Sequence, residues 1–135
     1  MIDKFTGEYR WLSNFYPAEI LYDGLTYPTS EHAYQAAKTL DVKKRQYIAN
    51  LPSPGKAKRA GQLVVLRADW EQVKIAVMRE IVRAKFSQHP DLRFKLVQTG
   101  DEELVEGNTW GDRFWGVCNG SGQNQLGKIL MEVRR

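Results

Sequence analysis

The stretch Tyr27-Pro28-Thr29-Ser30-Glu31-His32-Ala33-Tyr34-Gln35-Ala36-Ala37-Lys38 decides how the rest of the chain is read. Pro28 holds the residue before it extended, and Thr29 or Ser30 can cap the first free amides. A helix is therefore predicted over roughly Ser30 to Leu40. At about 100° per residue, Tyr34, Lys38, Glu31 and Gln35 share one arc of about 100°. Ala33, Ala36, Ala37 and Leu40 take the other side. A helix on a core normally turns large apolar groups inward. Here one face offers methyls and a single Leu, which suits close backbone packing. The opposite face carries a carboxylate, an amide, an amine and a phenol, and two readings of it stand: solvated surface, or the wall of a polar cleft.

Outward from this helix the chain reads as further helices with a little sheet. Ala18 to Tyr22 and Leu25 to Tyr27 flank Asp23-Gly24, a two-residue hairpin turn. Lys43 to Ala49 reads as a short helix with a basic face. Ser53 as cap and Pro54 at the first helical position start a third helix, carrying Lys56, Lys58, Arg59 and a Gly61 that permits a close approach. Asp69-Trp70-Glu71-Gln72 resembles a capping box and opens the central helix, Trp70 to Phe86, with Trp70, Val73, Val77, Ile81 and Ala84 in one apolar row. Pro90 to Gln98 is a shorter helix closed by Thr99-Gly100. Glu102 to Glu106 and Phe114 to Cys118 read as extended, and Asn124 to Val133 as a final helix. The fold class is mainly α with a small antiparallel β component, an α+β chain forming one domain over residues 1–135.

Composition narrows the classes. A chain of 135 residues with 42% hydrophobic and 27% charged residues is long enough and apolar enough for a real core, which argues against disorder. The net charge of +4 is compatible with an anionic ligand or nucleic acid and demands neither. Cys118 is the single cysteine, so no internal disulfide can form; with His32 and His89 the only histidines, no metal site and no cofactor is expected. No apolar run is long enough for a bilayer, and Asp3, Lys4 and Glu8 interrupt any leader-like segment. The expectation is a soluble cytoplasmic protein without a membrane partner. Its oligomeric state is not read from the sequence.

Several groups of residues could carry chemistry. Glu31 lies in the first turn of its helix, where the dipole favours the ionised carboxylate. Such a group can face a sugar carbon that turns positive as an N-glycosidic bond breaks, or orient the attacking water. Lys38, two turns along the same face, can fix phosphate, or attack an aldehyde as an amine if its pKa is lowered. A plain surface charge pair is the competing reading. Between Lys4 and Tyr16, Arg10, Ser13 and Asn14 interleave with Phe5, Tyr9, Trp11, Phe15 and Tyr16; this is either a platform for a base or an edge of the core. Asn108-Thr109-Trp110-Gly111-Asp112 with Trp115-Gly116 reads as a second wall, or as a structural turn. Gly122-Gln123-Asn124-Gln125-Leu126-Gly127-Lys128 approaches a phosphate loop, but Ile129 stands where a hydroxyl would hold magnesium. Only the weaker reading survives, in which Gly120-Ser121-Gly122 exposes amides to a phosphate.

Six stretches together resemble the NADAR, or YbiA-like, domain. They are Trp11 to Pro17, Tyr27 to Lys38, Arg67 to Trp70, Leu104 to Asn108, Asp112 to Gly116, and Asn124 to Met131. They occur in order over nearly the whole chain. The resemblance implies a compact, mainly helical domain acting on N-glycosides of ribose. It implies two substrate classes: ADP-ribose attached to guanine in nucleic acid or nucleotide, and the ribosylamino-pyrimidine intermediates of riboflavin synthesis. It maps the family's helical glutamate and lysine onto Glu31 and Lys38, and its Asp-x-x-Trp-Gly piece onto Asp112, Trp115 and Gly116. Gly107 to Gly111 replaces a stretch that other members fill with Ser and Pro, so the base-recognition wall differs.

The expected function is an N-glycosidase that removes ADP-ribose from guanine. Glu31, Lys38 and Asp112 are the catalytic set. Ser13, Asn14, Gln35, Asn108 and Asn124 supply hydrogen bonds, and Phe15, Trp70, Trp110 and Trp115 stack. Arg10, Tyr16, Tyr34 and Gly116 complete the binding set. The partner is an ADP-ribose-containing or ribosyl-nucleobase substrate, with ADP-ribosylated DNA or RNA as one form. The rivals are cleavage of the riboflavin precursor, an ADP-ribose or NAD binding module without turnover, and a nucleic-acid binder using Lys43, Lys44, Arg45, Lys56, Lys58 and Arg59.

Overall fold

The computed structural model describes residues 1–135. Its backbone contacts gather into two compact units, Asn14–Gln88 and Met1–Ser13 with His89–Arg135. No helix is long and apolar enough to cross a membrane.

The first unit begins with a hairpin. Strands β1 (Ile20–Tyr22) and β2 (Leu25–Tyr27) pair antiparallel around Asp23 and Gly24, whose φ values of 50° and 85° make the tight turn. Helix α1 (Ser30–Ala37) follows, capped by the Thr29 hydroxyl, which accepts from the His32 amide at 3.1 Å. Thr29 Oγ1 also lies 2.7 Å from His32 Nδ1, and His32 Nε2 lies 3.0 Å from the Leu51 carbonyl. A carbonyl only accepts, so Nε2 carries the proton and Nδ1 takes the Thr29 hydroxyl. Burial lowers the His32 pKa, in keeping with this neutral, structural role.

Helices α2 (Val42–Ala49), α3 (Pro54–Gly61) and α4 (Trp70–Gln88) pack around α1. Asp41 caps α2, and Ser53 caps α3 with Pro54 at its first turn. Arg45 ties α2 to the hairpin, donating to Asp23 at 2.7 Å and to the Thr39 carbonyl. The carboxylate of Asp69 is engaged by the Arg67 guanidinium at 2.6 and 3.1 Å, so the expected capping box gives way to an ion pair in front of α4. Helix α1 also ends earlier than expected, and Leu40 beyond it is exposed.

In the second unit, a 3-10 helix (Gly7–Leu12) precedes Ser13, and helices α5 (Pro90–Gln98) and α6 (Gln125–Arg134) pack together. Strands β3 (Gly107–Asn108) and β4 (Val117–Cys118) pair in parallel. The extended stretch expected from Phe114 thus shrinks to two residues, because Phe114 and Trp115 are turned by Asp112. The architecture is mainly helical, α+β, with the antiparallel hairpin as its larger sheet.

Helix α4 holds one surprise. Lys85 is only 1% exposed and lies on the same face as Met78, Ile81 and Val82, all buried. Its Nζ stands 5.7 Å from the Tyr16 ring centroid and 5.3 Å from that of Phe86. Desolvation pushes its pKa down to about 7. An unfolded lysine titrates near 10.4. Between these values the unfolded chain binds a proton that the folded chain releases, so stability from this group rises with pH across that window. Lys85→Met is expected to raise the thermal midpoint at pH 7 by a few degrees and to flatten its rise between about pH 7 and 10. A variant that melts lower than the parent at pH 7, with the same pH slope, would contradict this reading of Lys85.

Candidate functional site

Two clusters of the residues singled out above form, one in each unit. The first is the polar face of α1. Every residue from Ser30 to Ala37 is buried, so the solvated-surface reading does not hold. Glu31 is 8% exposed and Gln35 3% exposed. The Glu31 amide donates to the Asn14 carbonyl at 3.0 Å, and the Gln35 Nε2 donates to Glu31 Oε2 in a short hydrogen bond. An acceptor at Glu31 fixes which end of the Gln35 amide points toward it.

The other end of that amide explains Gly61. A Cβ built on Gly61 would stand 1.8 Å from Gln35 Oε1 and 2.7 Å from its Cδ. Only a bare Cα lets α3 close over the carboxamide. Gln35 Oε1 is buried there without a hydrogen-bond partner, as is Ser30 Oγ. Each such group costs roughly 1–3 kcal/mol. The polar face of α1 is thus held under stress rather than relaxed into solvent.

Lys38 closes the face at the C-terminal end of α1. It is half-buried, and its Nζ lies 5.6 Å from the Tyr34 ring centroid. Tyr34 in turn packs on Trp70, with centroids 5.3 Å apart and planes tilted by 55°. Burial lowers the Lys38 pKa; the negative charge of Glu31 opposes that shift. A lysine with a lowered pKa beside a buried carboxylate can serve as an amine nucleophile or as an anion anchor.

Not every expected contact residue presents a free group. Trp70 is buried with its indole against Tyr34, so it backs the face instead of standing open for stacking. Asn14 is buried, and its Nδ2 points at Met78 Sδ, 3.4 Å away. Phe15 is exposed, and Tyr16 is half-buried near Lys85.

The second cluster is the loop from Glu106 to Gly116. Asn108 Nδ2 donates to Glu106 Oε2 at 3.0 Å and to the Asp112 carbonyl at 2.9 Å, while its Oδ1 accepts the Asp112 amide at 3.1 Å. Asp112 Oδ1 accepts the Phe114 amide at 3.1 Å and the Trp115 amide at 2.9 Å. Both amide hydrogens of Asn108 are therefore engaged within the loop. Asp112 keeps Oδ2 without a protein partner. Gly116 is a packing requirement, since a Cβ there would meet Glu106 Oε2 at 1.8 Å. Trp115 is half-buried and edge-on to Phe114, and Trp110 is 62% exposed.

Asn124 is likewise bonded to backbone. It adopts a left-handed conformation with φ 53° before α6, and its carboxamide bridges the Glu106 amide and the Leu104 carbonyl, both at 3.0 Å. That clamp uses one of the two Nδ2 hydrogens. Of the expected phosphate nest, the Ser121 amide donates to the Cys118 carbonyl. The amides of Gln123, Asn124, Gln125 and Leu126 that follow donate to the carbonyls of Arg113, Gly116, Phe114 and Trp115. Arg10 is exposed on the 3-10 helix, and Ser13 ends it, its amide donating to the Arg10 carbonyl.

Comparison with known proteins places this geometry. A sequence model of the NADAR domain matches residues 3–135. The chain is 47% identical over 132 residues to the N-glycosidase YbiA of Escherichia coli, covering 96% of this chain and 82% of that protein. It is 42% identical over 127 residues to a riboflavin biosynthesis protein of Vibrio vulnificus, covering 92% of this chain and 34% of that one. The solution NMR structure of Escherichia coli YbiA is similar to it with a TM-score of 0.85 and 44% identity, over 99% of this chain and 84% of that one.

The Gly61–Gln35 contact is directly testable. Gly61→Ala is expected to destabilise the protein by about 1–3 kcal/mol through overpacking. Gln35→Ala should cost less in that background than in the parent, because the two changes share one contact. Denaturant midpoints of the two single variants and the double variant check this. Strictly additive effects would contradict the contact.

Proposed function

The chain belongs to the NADAR domain family, and we propose that it is an N-glycosidase that releases ADP-ribose from a modified guanine base. The general chemistry, hydrolysis of an N-glycosyl bond, is the activity that names its relatives. The ADP-ribose substrate is the finer reading. The observation that carries it is the buried Glu31–Gln35 pair at the start of α1 with Lys38, of lowered pKa, on the same face.

Breaking the bond sends its electron pair to the base nitrogen and leaves C1′ of the ribose positive. A carboxylate held at fixed distance stabilises that carbon and takes the proton of the attacking water. Gln35 supports this role, since its amide holds Glu31 in one orientation. Lys38 has two roles that suit it: holding a phosphate, or capturing the opened sugar as an imine with loss of water. The Oδ2 of Asp112 is an acceptor of the kind a ribose hydroxyl takes.

A second reading, cleavage of a ribosylamino-pyrimidine, is favoured by the Vibrio vulnificus relative named as a riboflavin biosynthesis protein. Presenting both substrates to the same preparation separates the two. On the preferred one, Glu31→Gln is expected to lower kcat by about 10²–10⁴ with little change in KM. Cleavage at the parent rate would remove Glu31 from the chemistry.

Borohydride trapping distinguishes the roles of Lys38. If it forms an imine, a reduced adduct appears on the parent and is lost in Lys38→Arg, which keeps the charge. Only the neutral amine attacks, so trapping rises with pH, and its lowered pKa places that rise below the ordinary lysine range. An active Lys38→Arg variant and no adduct at any pH would leave Lys38 as a phosphate anchor.

A further inference from the structure

A concavity of about 400 Å³ opens between α2 and α3, and neither the α1 face nor the loop from Glu106 to Gly116 contributes to it. Its floor is apolar, with Ile48, Leu51 and Leu63 among its lining residues. Lys44, Lys56 and Arg59 bring three cations to its lining, and Tyr47 brings an aromatic ring. All four of these side chains are exposed.

The charge here is one-sided. From Val42 to Ala68 the chain carries Lys43, Lys44, Arg45, Lys56, Lys58, Arg59 and Arg67 and not one Asp or Glu. Arg45 and Arg67 are neutralised by Asp23 and Asp69. Lys44, Lys56 and Arg59 have no ion-pair partner, so the groove itself keeps its full positive charge. A modest net charge of +4 for the chain thus conceals a strong local excess.

We infer that this groove binds a single-stranded nucleic-acid segment. Three unpaired cations around a concave surface match a run of phosphates, and Tyr47 with an aliphatic floor offers a face for an unstacked base. A duplex hides its base faces and gains nothing from that floor. An acidic peptide would use the cations but leave the exposed ring without a flat partner. The inference does not rest on which N-glycoside the protein cleaves, because an unmodified strand is enough to fill the groove.

Helix α3 makes the groove a neighbour of the buried polar face. Its Ala57 and Gly61 are buried, and Gly61 lies against Gln35 of α1; its Lys56, Arg59 and Ala60 line the groove. One helix therefore serves both surfaces.

The test is fluorescence anisotropy of a short labelled oligothymidylate without ADP-ribose, read from about 50 to about 300 mM salt. Three phosphate contacts at about 0.7 each predict a slope of log affinity against log salt near −2. Lys44→Ser, Lys56→Ser and Arg59→Ser together are expected to weaken binding more than about tenfold and flatten that slope. Tyr47→Ala should weaken it about tenfold with the slope intact. Thermal midpoints of these exposed-site variants should match the parent, and so should N-glycosidase activity on a small ribosyl substrate. No saturable binding, a slope unchanged by the triple variant, or displacement of the strand by an equal concentration of polyglutamate would each overturn the proposal.

Discussion

The hydrogen bond between Gln35 and Glu31 is the constraint around which the unit Asn14–Gln88 is arranged. It buries a carboxylate and a carboxamide on one helix face, where neither finds bulk water. Their burial is tolerated because Glu31 sits at a helix N-terminus and because Gly61 gives the carboxamide room. The small residues on the rest of α1 then make sense, since α2, α3 and α4 all pack against this one helix. Ala33, Ala36 and Ala37 allow those close approaches, and the polar side chains keep fixed positions as a result.

The loop from Glu106 to Gly116 obeys a different logic. Its order comes from polar side chains bonding to backbone rather than from apolar burial. Asn108 and Asp112 lock each other and the two following amides, and Asn124 ties the base of the loop to Leu104. Asn and Asp are suited to this because their short side chains reach the local backbone. Such a scaffold holds Trp115 and leaves Trp110 to solvent, a rigid frame for aromatic surface.

Helix positions in the sequence were legible because capping and proline signals are local. Thr29, Ser53-Pro54 and Pro90 mark starts that the structure reproduces. The polar face of α1 was legible too, but its burial was not. Burial depends on what packs against the helix, and the Gly61 contact that reveals it is 26 residues away in the chain. Lys85 was not singled out for a related reason: a lysine carries no local signal of burial, although Ile81 and Val82 precede it at helical spacing. Asn108 and Asn124 were singled out by residue type, and the structure shows both bonded to backbone. Residue types that bind ligands are also the types that satisfy backbone, and only geometry tells which use is made. The amides before α6 carry the same lesson, since the carbonyls that take them are contributed by Arg113 to Gly116, which no local pattern predicts.

The account stands or falls on whether the α1 face meets the sugar. A structure of Glu31→Gln with ADP-ribose bound measures this most directly. The account predicts the anomeric carbon about 3–3.5 Å from the side chain at position 31, with Lys38 Nζ reaching the ribose or a phosphate. ADP-ribose seated with neither residue touching the sugar or its phosphates would contradict it.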